Sequence, residues 1–383
     1  MEQKESVARL IYELPENYEE ECENQGAVTR WRGVKNAADL MLLLLIHLMN
    51  GTSLIEMSAI AELLDIGVLS DVAFMKRLAK CKDWFDSISK QLLNKVVVGY
   101  KKPKWLEKYT VTAVDASDVV EKGRTKRTFR LHYMLDIFNM TCAGFKITTQ
   151  KIGESLCNYD IKKKMLIIGD RIYSTVNGMS YCLENGSYFI LRMRKNSFKT
   201  INENGEVIDL YEKFKYLKEG EVAEIKAFAT NNSGEVIPVR ICAKRKTQEQ
   251  IEKAWDKIDK IAKSRKYTPS DETKAFNEFI IVVTSLPKKI TTKQVLETYR
   301  LRWQVEICFK RFKSILDFGD MPKKTNESTM AWLSGKMMVA LLMECVIANS
   351  FSPNGENEKL GFEKPLSRDE IYSVDDCDWF NFA

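Results

Sequence analysis

One stretch in the C-terminal third of the chain decides how its fold is interpreted: YRLRWQVEICFKRFKS, residues 299–314. It carries a single acid, Glu306, among several cations and aromatic residues. At helical spacing its apolar residues share one flank, while the acid and the cations share an adjacent edge. The stretch therefore predicts a helix that packs on a core. Two interpretations of its polar edge stay open: a solvated basic face, or a catalytic carboxylate framed by phosphate-binding cations.

The polar edge has more positive charge than one carboxylate can neutralise. Arg302, Lys310 and Lys313 all fall close to Glu306 on a helical projection. Arg302 precedes Glu306 by four residues, which is the weaker orientation for a helical ion pair, and such pairs contribute only about 0.2–0.5 kcal/mol. A bound polyanion would supply the missing negative charge.

Two further acids come at or near the ends of predicted strands. The segment KYTVTAVD alternates along its length and ends at Asp115, and the apolar run MLIIGD ends at Asp170. Such a continuous run is typical of a strand buried on both faces. Three carboxylates from two strands and one helix suit two divalent cations, which activate a nucleophile and stabilise the leaving oxygen of a phosphodiester. Because the chain has only two histidines, we expect carboxylate-held Mg²⁺ or Mn²⁺.

Composition limits the class of protein. The 383-residue chain is 45% hydrophobic and has a net charge of +6, which permits a polyanionic partner. Its nine cysteines form no Cys-x-x-Cys pair, which indicates reduced thiols. The N-terminus lacks the apolar segment of a signal peptide, and the longest apolar run, residues 38–49, is too short to span a bilayer. We expect a cytoplasmic protein with no membrane partner.

The chain is predicted to be a mixed α/β protein with four parts. Residues 1–98 have helical periodicity and form a probable DNA-binding domain, while residues 99–195 and 278–320 hold the core strands and the helix of the opening stretch. Residues 196–277 are rich in turns and alternating runs, which predicts a mostly β insertion. Residues 321–383 form a C-terminal helix and tail.

The DNA-binding prediction depends on two short helices. One covers residues 54–64, and the next opens at Ser70, a favourable N-cap, after a short connector that contains glycine. This arrangement resembles a helix-turn-helix, and three cations suit DNA phosphates: Arg77, Lys80 and Lys82. Plain packing of two helices is the alternative interpretation.

The spacing within the opening stretch resembles that of a known family. Tyr299, Arg302, Glu306 and Lys313 match the pattern Tyr-x2-Arg-x3-Glu-x6-Lys. This pattern is the signature of bacterial insertion-sequence transposases of the insertion-sequence-four family, which have a DDE triad on an RNase H-like fold. The resemblance covers roughly residues 35–350.

Both aspartate motifs take part in the resemblance. Asp115, Ala116 and Ser117 resemble the family's first motif, an Asp followed by two small residues. Residues 169–173 resemble its second motif, although Ile172 stands where the family often has Gly. The resemblance implies an RNase H-like catalytic core with a mostly β insertion, preceded by an all-α N-terminal domain.

The resemblance also implies an activity and a set of site residues. It implies cut-and-paste transposition of double-stranded DNA, with cleavage at terminal inverted repeats and strand transfer into target DNA. The expected assembly is a homodimer, with residues 330–349 as the candidate dimerisation helix. Asp115, Asp170 and Glu306 would be catalytic and would hold two Mg²⁺ ions. The expected DNA contacts are Tyr299, Arg302, Trp303, Lys310 and Lys313.

Trp303 has two interpretations. It lies beside Glu306 on the side away from the apolar flank, so it is a candidate to stack on an unpaired base. Alternatively, it packs against the insertion.

Two other functions stay open: a catalytically silent DNA-binding protein derived from a transposase, and an RNase H-like nuclease. The presence of all three acids argues against the first, and the helical N-terminal region argues against the second.

Overall fold

The computed structural model describes residues 2–350, apart from residues 94, 96–100, 121–127, 196, 232 and 319–324. The predicted tail after Ser350 therefore lies outside the described residues. The chain divides into two compact units. The first comprises the described parts of Met1–Tyr173, Gly178–Phe189 and Arg300–Ser350, and the second comprises Ser174–Asn177 and the described parts of Ile190–Tyr299.

The first unit begins with helices. The described residues before the first strand form α1 (Glu2–Tyr12), α2 (Tyr18–Asn24), α3 (Ala37–Asn50), α4 (Leu54–Leu63), α5 (Asp71–Lys80) and α6 (Lys82–Leu92). Ser70 caps α5 as predicted, since its hydroxyl accepts a hydrogen bond from the Ala73 N–H at 3.2 Å. The connector between α4 and α5 packs closely on the chain before α3, because a Cβ on Gly33 would lie only 2.6 Å from the Val68 carbonyl oxygen.

A long C-terminal helix completes this helical region. Helix α13 (Asn326–Ser350) packs against α3, α5 and α6. The contact is close: a Cβ on Gly335 would lie 2.7 Å from the Leu48 side chain. Of the described helices, α13 is the one long and apolar enough to cross a membrane, but 72% of its most apolar part is buried inside the protein. Its packing is that of a core helix, which leaves little of it exposed to a second subunit.

The sheet of the first unit has four strands. They are β1 (Thr110–Val120), β2 (Thr128–Asp136), β3 (Thr141–Thr149) and β4 (Met165–Gly169), in the order β3-β2-β1-β4. β1 pairs antiparallel with β2 and parallel with β4. The three-strand meander and the apolar strand before Asp170 were predicted, and most of α7 (Val176–Glu184) also belongs to this unit.

The second unit continues with strands β5 (Tyr188–Arg192), β6 (Lys199–Ile201), β7 (Val222–Thr230), β8 (Val236–Arg245) and β9 (Phe279–Thr284), in the order β5-β9-β8-β7-β6. Its helices include α8 (Leu210–Phe214), α9 (Gln248–Arg265) and α10 (Asp271–Phe276). The segment 196–277, predicted as mostly β, thus contains three helices beside its three strands in its described part. Charged α9, with a capping box at Thr247 and Gln250, is its longest element.

The opening stretch is not one continuous α-helix. Helix α11 (Thr292–Arg300) starts at the predicted capping box, in which the Gln294 N–H donates to the Thr291 hydroxyl at 3.3 Å. A 3₁₀ turn follows at Leu301–Trp303, and then helix α12 (Gln304–Ile315). A 3₁₀ turn has about three residues per turn, so the regular projection used for the sequence does not hold at Arg302 and Trp303.

Candidate active site

Strand register places Asp115 and Asp170 side by side. The parallel ladder between β1 and β4 ends with the pair Val114 and Gly169. The next residues are Asp115 and Asp170, so the two acids lie at the same level: Asp170 directly follows β4, whereas Asp115 lies inside β1, which does not end there as the sequence predicted. Beyond this point β1 continues beside β2, while the chain after β4 turns away in a 3₁₀ turn at Arg171–Tyr173.

Helix α12 brings Glu306 to the same face of the sheet. The Tyr133 ring contacts Phe309 and Phe312 of α12, with ring centroids 6.0 and 5.1 Å apart. Tyr133 lies directly opposite Asp115 in the β1–β2 ladder, and opposed residues project to the same face. Because Glu306 lies about one turn before Phe309 and about two turns before Phe312, α12 carries it toward Asp115.

Arg302 joins the acids from β1 and α12. Its side chain is 6% exposed, its guanidinium donates to the Glu306 carboxylate at 2.5 Å, and it lies 3.9 Å from the Asp115 carboxylate. The helical projection had placed Arg302 on an exposed edge. It is buried because it lies in the 3₁₀ turn, which packs on β1.

The pKa of Asp115 is shifted by its burial and by the charged groups around it. Burial, which is the largest cause, and the charges of Asp170 and Glu306 raise the pKa of this carboxyl to about 7. The Arg302 guanidinium and the Ala116 N–H, which donates to the carboxylate at 2.8 Å, oppose the rise. The negative charges of Asp170 and Glu306 therefore both act on the Asp115 carboxyl.

This geometry agrees with comparisons to known proteins. The family model of the transposase DDE domain matches residues 106–342, which is more than half of the chain. The chain belongs to the DDE transposase family.

The transposase also resembles named insertion-sequence proteins. It is 28% identical over 344 residues to a putative transposase of element IS186A from Escherichia coli strain K12, and 88% of the chain and 92% of that relative are covered. The transposase of element IS421 from Escherichia coli is 28% identical over 345 residues, with the same coverage. The transposase of element IS231F from Bacillus thuringiensis subsp. israelensis is 27% identical over 221 residues, with 54% of the chain and 46% of that relative covered.

Family membership establishes the class of activity. The transposase is an enzyme that cleaves DNA and transfers DNA strands, so DNA is its partner. Membership of the DDE family also implies that it uses a divalent metal ion.

The donor chemistry near Asp115 suits such an ion. Carboxylate oxygens are the ligands that hard divalent cations prefer, and a cation would relieve the repulsion of Asp115 by the charges of Asp170 and Glu306. Among the described residues, no group of three His, Cys, Asp or Glu side chains is gathered closely enough to enclose an ion. The Arg302 guanidinium instead supplies the nearest positive charge.

The other predicted DNA contacts differ in exposure. Lys310 and Lys313 are exposed on α12, and no acid in the described part of the chain pairs with either. Trp303 is half-buried. Tyr299, at the end of the second unit, is only 3% exposed. The two lysines are thus the most accessible members of the predicted set.

The cations of the predicted helix-turn-helix are only partly accessible. Lys82 pairs with Asp86 at 2.6 Å, and Arg77 donates to the Arg32 carbonyl oxygen. Lys80 is exposed. Of the three, Lys80 is therefore the one most accessible to a phosphate.

Sequence reasoning missed a second charged group near Asp170. Arg130 donates to both carboxylate oxygens of Asp118, at 2.7 and 3.2 Å, and lies 3.8 Å from Glu154. Burial raises the pKa of Glu154, and the Asp170 charge contributes. Asp118 and Arg130 are direct partners in the β1–β2 ladder, so the hairpin register was the signal that could have found them. Glu154 lies in the loop after β3 and has no such signal.

Proposed function

We propose that Asp115, Asp170 and Glu306 are the catalytic carboxylates of this transposase, which cleaves the ends of a mobile element and transfers them by a cut-and-paste route. The observation that carries the proposal is the β1–β4 register, which sets two acids beside each other under the helix that bears the third. Placing acids near one another lowers the stability of the fold, and the arrangement is explained if the acids bind cations. The family resemblance further supports an RNase H-like core.

The three carboxylates are proposed to hold two Mg²⁺ ions, with Mn²⁺ as a substitute. Bound there, such ions lower the pKa of a water or hydroxyl nucleophile and stabilise the leaving oxygen. Asp115 must lose its proton to serve as a ligand, and Arg302 favours that loss because it lowers the pKa of this carboxyl. Arg302 also holds Glu306 in place through their hydrogen bond.

Side chains near these acids are proposed to bind the DNA. Lys310 and Lys313 are proposed to contact phosphates as exposed point charges, and Arg302 would reach DNA only by releasing Glu306. Trp303 is proposed to stack on an unpaired base near the cleavage point. Tyr299 would contribute only where the DNA reaches a buried side chain, which makes it the weakest member of the set.

Recognition of the element is assigned to residues 1–98, an all-α region in this proposal. Helices α4 and α5, with Ser70 as N-cap, are the proposed readers of terminal inverted repeats in double-stranded DNA. Two copies of the chain would hold the two ends of the element as a homodimer in the cytoplasm and join them to target DNA.

The test separates chemistry from binding. Asp115→Asn, Asp170→Asn and Glu306→Gln should each lower DNA cleavage by about a thousand-fold or more, because several kcal/mol of transition-state stabilisation are lost at 1.36 kcal/mol per factor of ten. Cleavage of labelled DNA that carries the element's ends is measured in Mg²⁺, beside a gel-shift assay on the same DNA, which should change little.

The matched control is Glu184→Gln, which neutralises an exposed acid on α7 of the same unit. It should cleave at the wild-type rate. Cleavage by any one of the three variants near the wild-type rate would remove that residue from the proposed site. A wild-type protein that binds the DNA but never cuts it would instead support a catalytically silent DNA-binding protein.

A further inference from the structure

Two buried tyrosines lie beside Asp115 and Asp170, at the point where the pairing of β1 with β4 ends. Tyr159 and Tyr173 are 4% and 0% exposed, and their hydroxyl oxygens are 2.9 Å apart. The Tyr159 hydroxyl donates to the backbone carbonyl oxygen of Asp115 at 3.0 Å. Tyr173 lies in the 3₁₀ turn directly after Asp170, and its N–H donates to the Asp170 carbonyl oxygen at 3.1 Å. The tyrosine pair thus connects the backbones of both acids.

The direction of these hydrogen bonds follows from the number of protons available. A tyrosine hydroxyl has one hydrogen, and a carbonyl oxygen only accepts. Since the Tyr159 hydrogen is directed at Asp115, the Tyr173 hydroxyl donates to Tyr159. The result is a directed chain from Tyr173 through Tyr159 to Asp115, located just beyond the last β1–β4 partners, Val114 and Gly169.

Packing holds this chain of hydroxyls in one geometry. The Tyr159 and Tyr173 rings contact each other, with centroids 6.0 Å apart. The His132 ring meets the Tyr159 ring edge-on, with centroids 5.9 Å apart. Rings that are this closely surrounded have few alternative rotamers. The hydroxyl pair therefore acts as a rigid spacer in place of further strand pairing.

We infer that Tyr159 and Tyr173 are positioning residues that set the separation of the Asp115 and Asp170 carboxylates for a divalent cation. The inference rests on the proposed function, because it takes these two acids as metal ligands. Mg²⁺ demands near-ideal octahedral geometry with oxygens at about 2.0–2.1 Å, so small shifts between two ligand-bearing strands weaken binding. Groups that orient ligands in this way typically change metal affinity by about 10–100-fold when removed.

The two tyrosines should differ in the size of their effects. Tyr159→Phe removes both hydroxyl contacts and frees the Asp115 carbonyl oxygen, whereas Tyr173→Phe leaves the bond from Tyr159 to Asp115 in place. We expect Tyr159→Phe to weaken Mn²⁺ binding by about 10-fold or more and Tyr173→Phe to weaken it less. A tyrosine pair that only fills space would show no such order.

The control is Tyr181→Phe, which also removes a 3.0 Å hydrogen bond to Tyr159 but leaves the hydroxyl chain intact. Isothermal titration calorimetry of the full-length chain with Mn²⁺ measures the affinity, and thermal melts without metal measure the stability. Both variants should lose stability, Tyr159→Phe more because it removes two hydrogen bonds instead of one, but only Tyr159→Phe should lose metal affinity. DNA binding in a gel shift should be unchanged in both.

Several results decide the matter. Wild-type affinity in Tyr159→Phe, or an equal loss in Tyr181→Phe, would overturn the inference. A wild-type protein that binds Mn²⁺ with the expected order of variants but does not cleave DNA would leave the spacer role standing and remove the proposed catalysis. Unchanged Mn²⁺ affinity in Asp115→Asn would overturn both.

Discussion

Two half-buried carboxyls of the first unit have a pKa raised mainly by burial, but their neighbours differ. Burial raises the pKa of Asp115 to about 7 together with the charges of Asp170 and Glu306. Burial raises the pKa of Glu344, on α13, to about 7 as well, but its neighbours are neutral donors: the Cys142 N–H at 3.1 Å and the Tyr133 hydroxyl at 3.4 Å. The shift alone therefore does not mark a site. A carboxyl among other acids suits a cation, and a carboxyl among neutral donors anchors a helix.

The largest expected difference between the two carboxyls concerns metal ions. Mn²⁺ at about a thousand times its Kd should raise the free energy of unfolding of the wild type by about 4 kcal/mol. Asp115→Asn should lose this gain, whereas Glu344→Gln should keep it. Urea unfolding with and without Mn²⁺ measures both. If the two variants gain equally from Mn²⁺, the distinction between the carboxyls is wrong.

The next difference is in the response to pH. The pKa of Glu344 lies above its unfolded value of 4.5, so its contribution to stability is full below that pH and is lost as pH rises toward about 7. At 1.36 kcal/mol per pKa unit, reduced by residual solvent screening, the loss is about 2 to 3 kcal/mol. Glu344→Gln cannot ionise, so it should be more stable relative to wild type at pH 8 than at pH 4.5.

Unfolding in metal-free buffer at pH 4.5, 6 and 8 checks this expectation. Glu184→Gln serves again as the exposed control and should follow the wild-type curve. Parallel curves for wild type and Glu344→Gln would show that Glu344 does not titrate in this range.

A smaller effect is expected at Arg302. Arg302→Gln leaves Asp115 and Glu306 without their nearest cation and should lower the free energy of unfolding by about 1 to 2 kcal/mol. This is less than the 3–5 kcal/mol of a fully buried pair, because the Glu306 side chain is 39% exposed. Mn²⁺ should restore more stability to this variant than to wild type, since it supplies the lost charge. Thermal melts with and without Mn²⁺ test this, and an equal gain in both proteins would argue that Arg302 does not balance the acids.

The smallest effect concerns the anchor of Glu344. Tyr133→Phe removes the long 3.4 Å hydrogen bond to Glu344 and the weak hydrogen bond of the hydroxyl with the Cys142 thiol, so the expected loss is about 1 kcal/mol. DNA cleavage should remain at the wild-type rate, because the ring that packs on α12 is kept. A marked loss of cleavage in this variant would mean that Glu344 and the candidate site are coupled.

The sequence was informative where a regular pattern carried the signal. The apolar run before Asp170 predicted the end of a strand, and β4 ends at Gly169. The capping box at Thr291 and Gln294 was confirmed for the same reason, since it depends on residues three apart. Local spacing was sufficient for these two features. The predicted strand end near Asp115 is wrong, because β1 continues to Val120 and only its pairing with β4 stops at Val114.

Features that depend on distant partners or on irregular backbone were not predictable. Arg302 is buried because a 3₁₀ turn interrupts the helix at Leu301–Trp303. No residue type in this segment predicts the turn. The anchor of Glu344 joins residues that are 202 positions apart, Cys142 and Glu344. The Tyr159 bond to Asp115 likewise depends on how a loop returns to β1.

The packing of α13 among the first helices has a consequence for the order in which the chain matures. Ribosomes release the N-terminal helices first, and domains generally fold as they emerge. Here α3, α5 and α6 all pack against a helix made from residues 326–350, and Gly335 fits directly against Leu48. The helical region that is proposed to read DNA therefore completes its core late in translation, when the proposed catalytic strands have already been synthesised. Residues 1–98 expressed alone would lack that helix and would expose the apolar side chains on which it packs.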